Sequence, residues 1–564
     1  MRLELDEVRR LTGPNLLWDE PGAILDVFID EADTVEVVKT WQKWMDKLLS
    51  EFGWQESHTY RLYTGGASMA LSAPMDALYT ACDLAELAWD CTVSELTSSA
   101  QIDWQSRLKD LTAALREEQN ATLLSLLSEA KTHGVSAISD DDEFSLGMGP
   151  SVEVWPVDKL PDPHDIKWSA YKDIPRAFIT GTNGKSTSVR LASEIAKAAG
   201  YCAGVTSTDF IKVGDEVIDT GDYSGPGGAR MLLRNPRTEM AFLEVARGGI
   251  LRRGLPIEKV DAALVTNVAS DHLGQYGINT VDELAQVKFV VAKGLNDTGT
   301  LVTNADNELT KYYAQNLHCD ICWFSEHANS PQIQHNLQVG KPVVFVRDQQ
   351  FIFVDNKGVE TNILSVNDVP MTMNGAARHN VQNALGVIGL CMAMGLSLEA
   401  IRQGLKSFGS DASDNPGRGN VYTYNGANVL VDFAHNAHSV KAMIETAKHM
   451  HANRYLVMFS NAGDRGDEEI HELTDAIRDL DAHHYIVAEI DKYLRGREPK
   501  ALLHLVEERL LANGVNPSQI HLTGTPVEGA KFALSQAKQG DVVILFTLDQ
   551  REEVDKLLKS GGLN

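Results

Sequence analysis

The sequence predicts an α/β protein of three domains: an α+β N-terminal domain over residues 1–165, a central P-loop doubly wound domain over 166–408, and a Rossmann-like C-terminal domain over 409–564. Three observations carry this expectation. After residue 165, apolar strand-like runs alternate with helical stretches, which is the pattern of a mostly parallel sheet covered on both faces. A Gly-rich loop ending in Gly-Lys-Ser lies between the first of those runs and a helix. The composition also shifts twice, near residues 139–165 and 409–420.

The 564 residues leave room for about three or four domains of ordinary size. Helical periodicity runs over 34–52 and 75–96, with short strands near Ile24–Ile29 and Tyr60–Tyr63. An acidic run, Asp140 to Glu143, is followed by a segment rich in Pro and Asp that reads as a linker or an extended crossing. Beyond it, Ala177–Thr180 precedes a helix over 186–199, and Ala262–Thr266 repeats the strand pattern. Gly409–Asn420 reads as a second linker. The alternation then restarts with strands expected at 428–433, 454–460, 484–489 and 541–547.

Charge and cysteine content exclude several classes. There are 51 Lys+Arg against 78 Asp+Glu, a formal net charge of −27, which is the wrong sign for a protein that displaces counterions from a nucleic-acid backbone. The N-terminus has no apolar core of a signal peptide, and the longest apolar run, Val542–Phe546, is far too short to cross a bilayer. A cytoplasmic protein without nucleic-acid or membrane partners is therefore expected, with homo-oligomerisation left open. Cys319 and Cys322 form the only close cysteine pair, with His318 and His327 nearby. No second pair follows, and Ile321–Phe324 reads as a buried strand, so structural thiols are expected rather than a zinc site.

The strongest local signal is the loop Thr180-Gly181-Thr182-Asn183-Gly184-Lys185-Ser186-Thr187. Glycines let backbone N–H groups turn toward a phosphate, and the following helix adds its positive N-terminal dipole. Lys185 has the charge to neutralise β- and γ-phosphate oxygens, and the Ser186 hydroxyl suits Mg²⁺. Gly181 stands three residues before Gly184, closer than the usual P-loop spacing.

That shortened loop resembles the GTxGK[ST] of the Mur ligase family, and further segments agree with it in order. Leu243-Glu244 followed by ARGGILRRG (246–254) is similar to the ligase module of cyanophycin synthetases. Thr266-Asn267 with Asp271-His272-Leu273 is similar to the family's TN…DHL, and His379-Asn380 with Asn383-Ala-Leu to its HNxxNAL helix. Asn415-Pro-Gly-Arg418 and Asp432-Phe-Ala-His435-Asn436 resemble its hinge arginine and DYAHN strand. Gly463-Asp464-Arg465 and Leu494-Arg495-Gly496-Arg497 resemble motifs of the cyanophycin branch. The resemblance covers about residues 173–564.

What it implies is an ADP-forming ligase that activates a carboxylate with ATP as an acyl phosphate and joins an amino acid to it. The acceptor would be a carboxylate-bearing small molecule or peptide. Lys185, Glu244, His272 and Lys288 are the implied catalytic set, with Ser186, Glu244, His272 and Lys288 holding two Mg²⁺ ions. Lys288 interrupts the apolar stripe of a helix opened by Thr280-Val-Asp-Glu283, and the family's lysine at this place is carbamoylated. Gly181 to Thr187, Asn380, Asn383, Arg418 and Asp432 would bind ATP. Arg247, His435, Asn436, Asp464, Arg465, Arg495 and Arg497 would meet the substrates, the arginines serving a carboxylate or lying in solvated ion pairs.

The chain departs from the look-alikes in two places. Cyanophycin synthetases carry an ATP-grasp module ahead of the Mur-type module, whereas only about 160 residues precede the loop strand here, which leads us to expect one ligation per ATP. Around Arg495 and Arg497 the chain reads Ala488-Glu-Ile-Asp491 and Glu498-Pro-Lys-Ala501 where that branch tends to have KED and GE, so arginine is not carried over as the incoming amino acid. A γ-glutamyl or folate-type ligase and a catalytically silent nucleotide-binding scaffold are the competing readings.

Overall fold

A computed structural model describes residues 2–98, 102–409 and 415–560; residues 410–414 of the second expected linker lie outside it. The α/β expectation holds, with two mixed sheets and two smaller antiparallel ones.

The central sheet has eleven strands. Seven of them, in the spatial order Ala203–Thr206, Met240–Glu244, Arg176–Thr180, Val260–Val265, Leu295–Asn304, Asp320–Ser325 and Val343–Arg347, pair in parallel. Antiparallel hairpins finish both edges. Arg176–Thr180 comes first in sequence yet lies mid-sheet. The chain builds outward on one side of it and then on the other, which opens a crevice at the carboxyl ends of Arg176–Thr180, Met240–Glu244 and Val260–Val265. Each face buries its own apolar core: one includes Val189, Ile195, Leu385 and Ile401, the other Leu243, Leu284 and Val287. Helix Lys185–Ala198 packs so closely on Leu398–Ser407 that a Cβ on Gly404 would stand 2.5 Å from Ile195.

The C-terminal unit is a six-stranded sheet, parallel except for Arg418–Tyr424 at one edge. Helices Ala437–Lys448, Asp467–Arg478 and Ala501–Ala512 cover one face, and Pro526–Gln536 and Arg551–Lys559 the other.

The N-terminal region is more regular than its sequence pattern suggests. Leu3–Leu11, Gly22–Ile29, Gly66–Ser72 and His58–Tyr63 form a four-stranded antiparallel sheet in that spatial order, packed on helices Thr34–Phe52 and Leu78–Thr97. Gly66–Ser72 is buried along its whole length, so it lacks the alternation that marks a half-buried strand. The linker reading of 139–165 is corrected. Ala137–Ser139, Glu143–Leu146 and Glu153–Pro156 form a small sheet around buried Phe144. The acidic run is held by cations instead of standing free: Asp140 pairs with Arg234 at 2.6 Å and with Arg230 at 3.4 Å, and Asp141 pairs with Arg10. Among the described residues no helix is long and apolar enough to cross a membrane. All six cysteines are free thiols, and burial pushes the Cys322 thiol up to about 12.

Candidate active site

A cleft of about 520 Å³ opens at the crevice and is walled on its far side by the C-terminal domain. The phosphate loop forms its floor. Gly184 has φ +87°, and a Cβ there would stand 2.1 Å from Asn383 Oδ1, so only glycine lets the loop close against helix Arg378–Ala393. Lys185 Nζ donates to the carbonyls of Gly181 and Thr182, at 3.1 and 3.0 Å, and curls over the loop that phosphates would occupy. Thr182 and Asn183 are tied to the next strand end: Asn267 accepts from the Asn183 backbone N–H at 3.0 Å, and Thr182 Oγ1 donates to Ala269 at 3.1 Å.

Glu244 ends strand Met240–Glu244 and faces the cleft beside Ser186. Its side chain is 1% exposed, and neither carboxylate oxygen has a hydrogen-bond partner. Burial raises its pKa despite the nearby Lys185 and Arg418 charges. A buried carboxylate left unmet in this way is the donor that a hard divalent cation requires.

Lys288 reaches the same cleft from helix Val281–Phe289, whose first turn is closed by the Thr280/Glu283 capping box. Leu284 and Lys288, one turn apart, both line the cleft. The buried Nζ donates to the Gly181 carbonyl at 2.9 Å. Burial, and then the charge of Lys185, hold its pKa well below the usual lysine value.

The third group spans two domains. Asp271 and His272 come from the loop after Val260–Val265, and His435 from the loop after strand Ala427–Asp432. Their ligand atoms lie within 4.8 Å of one another. Arg465 donates to Asp271 at 3.0 Å, and burial lowers the imidazole pKa of both histidines, that of His435 to about 4, which favours the neutral ring that a metal would need. Asp271 is the acid that sequence reasoning passed over, although it stands within the quoted DHL segment.

Beside the loop a narrow slot of about 80 Å³ shares Gly184, Thr187 and Arg418 with the main cleft and is lined by Asn380, Asn383 and Asp432, residues expected to bind ATP. Asn383 Nδ2 donates to Asn380 Oδ1 at 3.2 Å, and burial raises the Asp432 carboxyl to about 6. Arg418 lies over the Phe433 ring, 4.5 Å from its centroid, and Arg551 over the same ring at 4.8 Å. Asp209, whose acidity none of the sequence motifs singled out, pairs with Arg190 from the loop helix, with Arg551 at 2.7 Å, and with Arg418 at 4.0 Å. These arginines hold its carboxyl well below the usual range.

The expected substrate residues divide into two groups. Arg247, His435, Asp464, Arg465 and Arg495 line the cleft. The Nη1 of Arg247 is buried without a partner, while its Nη2 donates to Gln275 at 2.5 Å. Asn436 and Arg497 do not line it. Asn436 caps helix Ala437–Lys448 and exchanges amide hydrogen bonds with Asn183 at 3.2 and 3.1 Å, a clasp between the domains. Arg497 donates to the carbonyls of Gly463 and Arg465, which shapes the loop that carries Asp464.

Comparison with known proteins finds two family domains in the chain. Residues 179–391 match the Mur ligase middle domain, and residues 417–547 match the Mur ligase, glutamate ligase domain. A cyanophycin synthetase from Geminocystis herdmanii is 35% identical over 405 residues, covering 71% of this chain and 45% of that protein. The chain thus spans less than half the length of the cyanophycin synthetases it matches. The UDP-N-acetylmuramoyl-L-alanyl-D-glutamate–2,6-diaminopimelate ligase of Bacillus velezensis is 24% identical over 387 residues, covering 66% of this chain and 73% of that one. E. coli FolC, solved in complex with DHPP and ADP, superposes with a TM-score of 0.51 at 19% identity, over 68% of this chain and 89% of that one.

Proposed function

Because the chain belongs to the Mur ligase family, its two matched domains together filling more than half of it, we propose that it is an ATP-dependent, ADP-forming ligase that joins an amino acid to a carboxylate-bearing acceptor, a small molecule or a peptide. The observation that carries this reading is the convergence, on one interdomain cleft, of the loop lysine, an unmet buried carboxylate and a three-residue cluster of metal-ligand type.

In the proposed reaction an acceptor carboxylate oxygen attacks the γ-phosphorus of ATP, the bond to the β-bridging oxygen breaks, and ADP leaves. The amine of the second substrate then attacks the acyl carbon. The C–O bond to phosphate breaks with its electron pair, and the amine loses a proton as the amide forms. Lys185 and Arg418 offset charge on the transferred group, which is the main demand of phosphoryl transfer. Glu244 and Ser186 would hold one Mg²⁺, and His272 with Asp271, His435 and Lys288 a second. When bound, such ions would supply positive charge against the charge that develops on the transferred phosphoryl group. Lys288 serves as a ligand once its neutral amine adds to CO₂, forming an N–C bond and releasing a proton to leave a carbamate. The contacts of Asn183 with Asn436 and of Asp271 with Arg465 draw the C-terminal domain over the cleft, which keeps water from a hydrolysable acyl phosphate.

The test is amino-acid-dependent phosphate release across a panel of acceptors that includes peptides and folate-type glutamates. Lys185→Ala is expected to cut the rate at least 100-fold, in line with the loss of one preorganised charge. A variant equal to wild type would refute the role of the loop. Nucleotide binding without turnover on any acceptor would favour a silent scaffold.

A further inference from the structure

Residues 1–165 lie outside the matched family domains, and one of their several contacts with the ligase unit reaches the segment that carries His272. Strand His58–Tyr63 runs beneath the loop that carries Asp271 and His272. Arg61 Nη2 donates to two consecutive carbonyls of that loop, Tyr276 at 3.1 Å and Gly277 at 2.9 Å. Its Nη1 reaches Glu283 Oε1 at 3.3 Å. The other oxygen of Glu283 accepts from the Asn279 and Thr280 backbone N–H groups at 2.8 and 3.0 Å, closing the first turn of the helix that presents Lys288.

One guanidinium thus ties together the loop that bears His272 and the helix that bears Lys288. Neighbours reinforce the tie. The Tyr63 ring lies so close that a Cβ on Gly277 would stand 2.3 Å from it, Arg9 sits over the Tyr276 ring, and Asn279 Nδ2 donates to the Thr64 carbonyl at 3.3 Å. Gln275, the residue before this contact, lines the cleft and accepts from Arg247. Arg61 itself does not line the cleft. We propose that Arg61 is a positioning residue: through it the N-terminal domain sets the spacing between His272 and Lys288, and with it the geometry of the metal-ligand wall. The proposal rests on reading the cleft as the ligase site.

A planar fork with several donors suits three acceptors in fixed directions, whereas lysine offers one point charge. Groups that orient metal ligands from behind cost about 10- to 100-fold in metal affinity or activity when lost. The experiment uses the full chain with Arg61→Met and Arg61→Lys. Free Mn²⁺ is titrated by electron paramagnetic resonance in the absence of substrate, alongside kcat and KM for ATP and the melting temperature.

Both variants are expected to bind Mn²⁺ at least fivefold more weakly, with Arg61→Lys the milder. Where wild type turns over, kcat is expected to fall about tenfold while KM for ATP moves less than twofold, because the phosphate loop lies outside this contact. Unchanged Mn²⁺ affinity in folded variants would overturn the proposal. So would a loss of Mn²⁺ affinity, kcat and ATP affinity in equal proportion, which marks general destabilisation. Should wild type release no phosphate with any acceptor, the ligase reading fails and the Mn²⁺ titration still decides the role of Arg61.

Discussion

Replacing Glu244 with glutamine separates activity from stability at a single atom. The side chain is 1% exposed, and both of its oxygens lack partners. Its pKa is raised above the ordinary 4.5, so burial outweighs the attraction of Lys185 and Arg418 and the charged form is disfavoured in the fold. An unsatisfied buried group costs about 1–3 kcal/mol, more when charged. Removing the charge with an isosteric amide recovers part of that, roughly 1 kcal/mol, or about 2–4 °C in melting temperature for a unit of this size. The sign with pH follows from linkage. Between 4.5 and the raised folded value the native state binds more protons than the unfolded chain, so this group's contribution to stability falls as pH rises through that window. Melting Glu244→Gln and wild type with chelator at pH 4.5 and at pH 8 is expected to give equal values at the lower pH and a more stable variant at the higher. With Mg²⁺ and a non-hydrolysable ATP analogue the order should reverse, and phosphate release by the variant should fall at least 100-fold. A variant less stable than wild type without metal, or one retaining a tenth of the activity, would refute the assignment of this carboxylate to a cation.

Lys288→Ala is expected to lose activity and to recover part of it with formate or acetate, which can enter the vacated site as a carboxylate; rates across a series of added acids test this. His435→Ala is expected to weaken Mn²⁺ binding about tenfold or more, read by the same resonance titration, because it removes one of three clustered ligands. Asp209→Asn should cost about 3 kcal/mol by leaving buried Arg190 without its anion, measured by denaturant unfolding. The Asp209 carboxyl is held below its ordinary 3.8, so its stabilisation is complete above that pH and is lost on acidification below it; the variant should show a flatter acid limb.

What the sequence made legible was local. A Gly-Lys-Ser loop between strand and helix, a glutamate at the end of an apolar strand and a lysine breaking an apolar helical stripe each have a period or a flank that marks them. Asp209 and Arg551 carry no such mark. They are 342 residues apart, and only the docking of the last helix against the loop after Ala203–Thr206 makes them partners. Asn436 and Arg497 were misleading for the opposite reason. Polar residues inside a matched motif suggest ligand contact, yet one is spent on a helix cap and the other on loop carbonyls. In the N-terminal region, Gly66–Ser72 is buried on both faces and so shows no alternation. The acidic run 140–143 resembles a linker until Arg10, Arg230 and Arg234, distant in sequence, supply its counter-charges.

Long-range placement of charge also explains how an acidic protein can present a cation-rich cleft. The net charge of −27 is an average over the whole chain, whereas the cleft concentrates Lys185, Arg247, Arg418, Arg465 and Arg551 around a few buried acids. Two of those acids, Asp209 and Asp271, are answered by arginines from the C-terminal domain, Arg551 and Arg465. Glu244 has the charges of Lys185 and Arg418 nearby but no ion pair of that kind. The C-terminal domain therefore supplies close ion pairs to two central-domain carboxylates and only the more distant charge of Arg418 to the one beside Ser186 and Lys185. On the proposed reading, a buried carboxylate beside the phosphate loop would be met by a cation that enters with the nucleotide, so the metal would complete the charge balance of this side of the cleft.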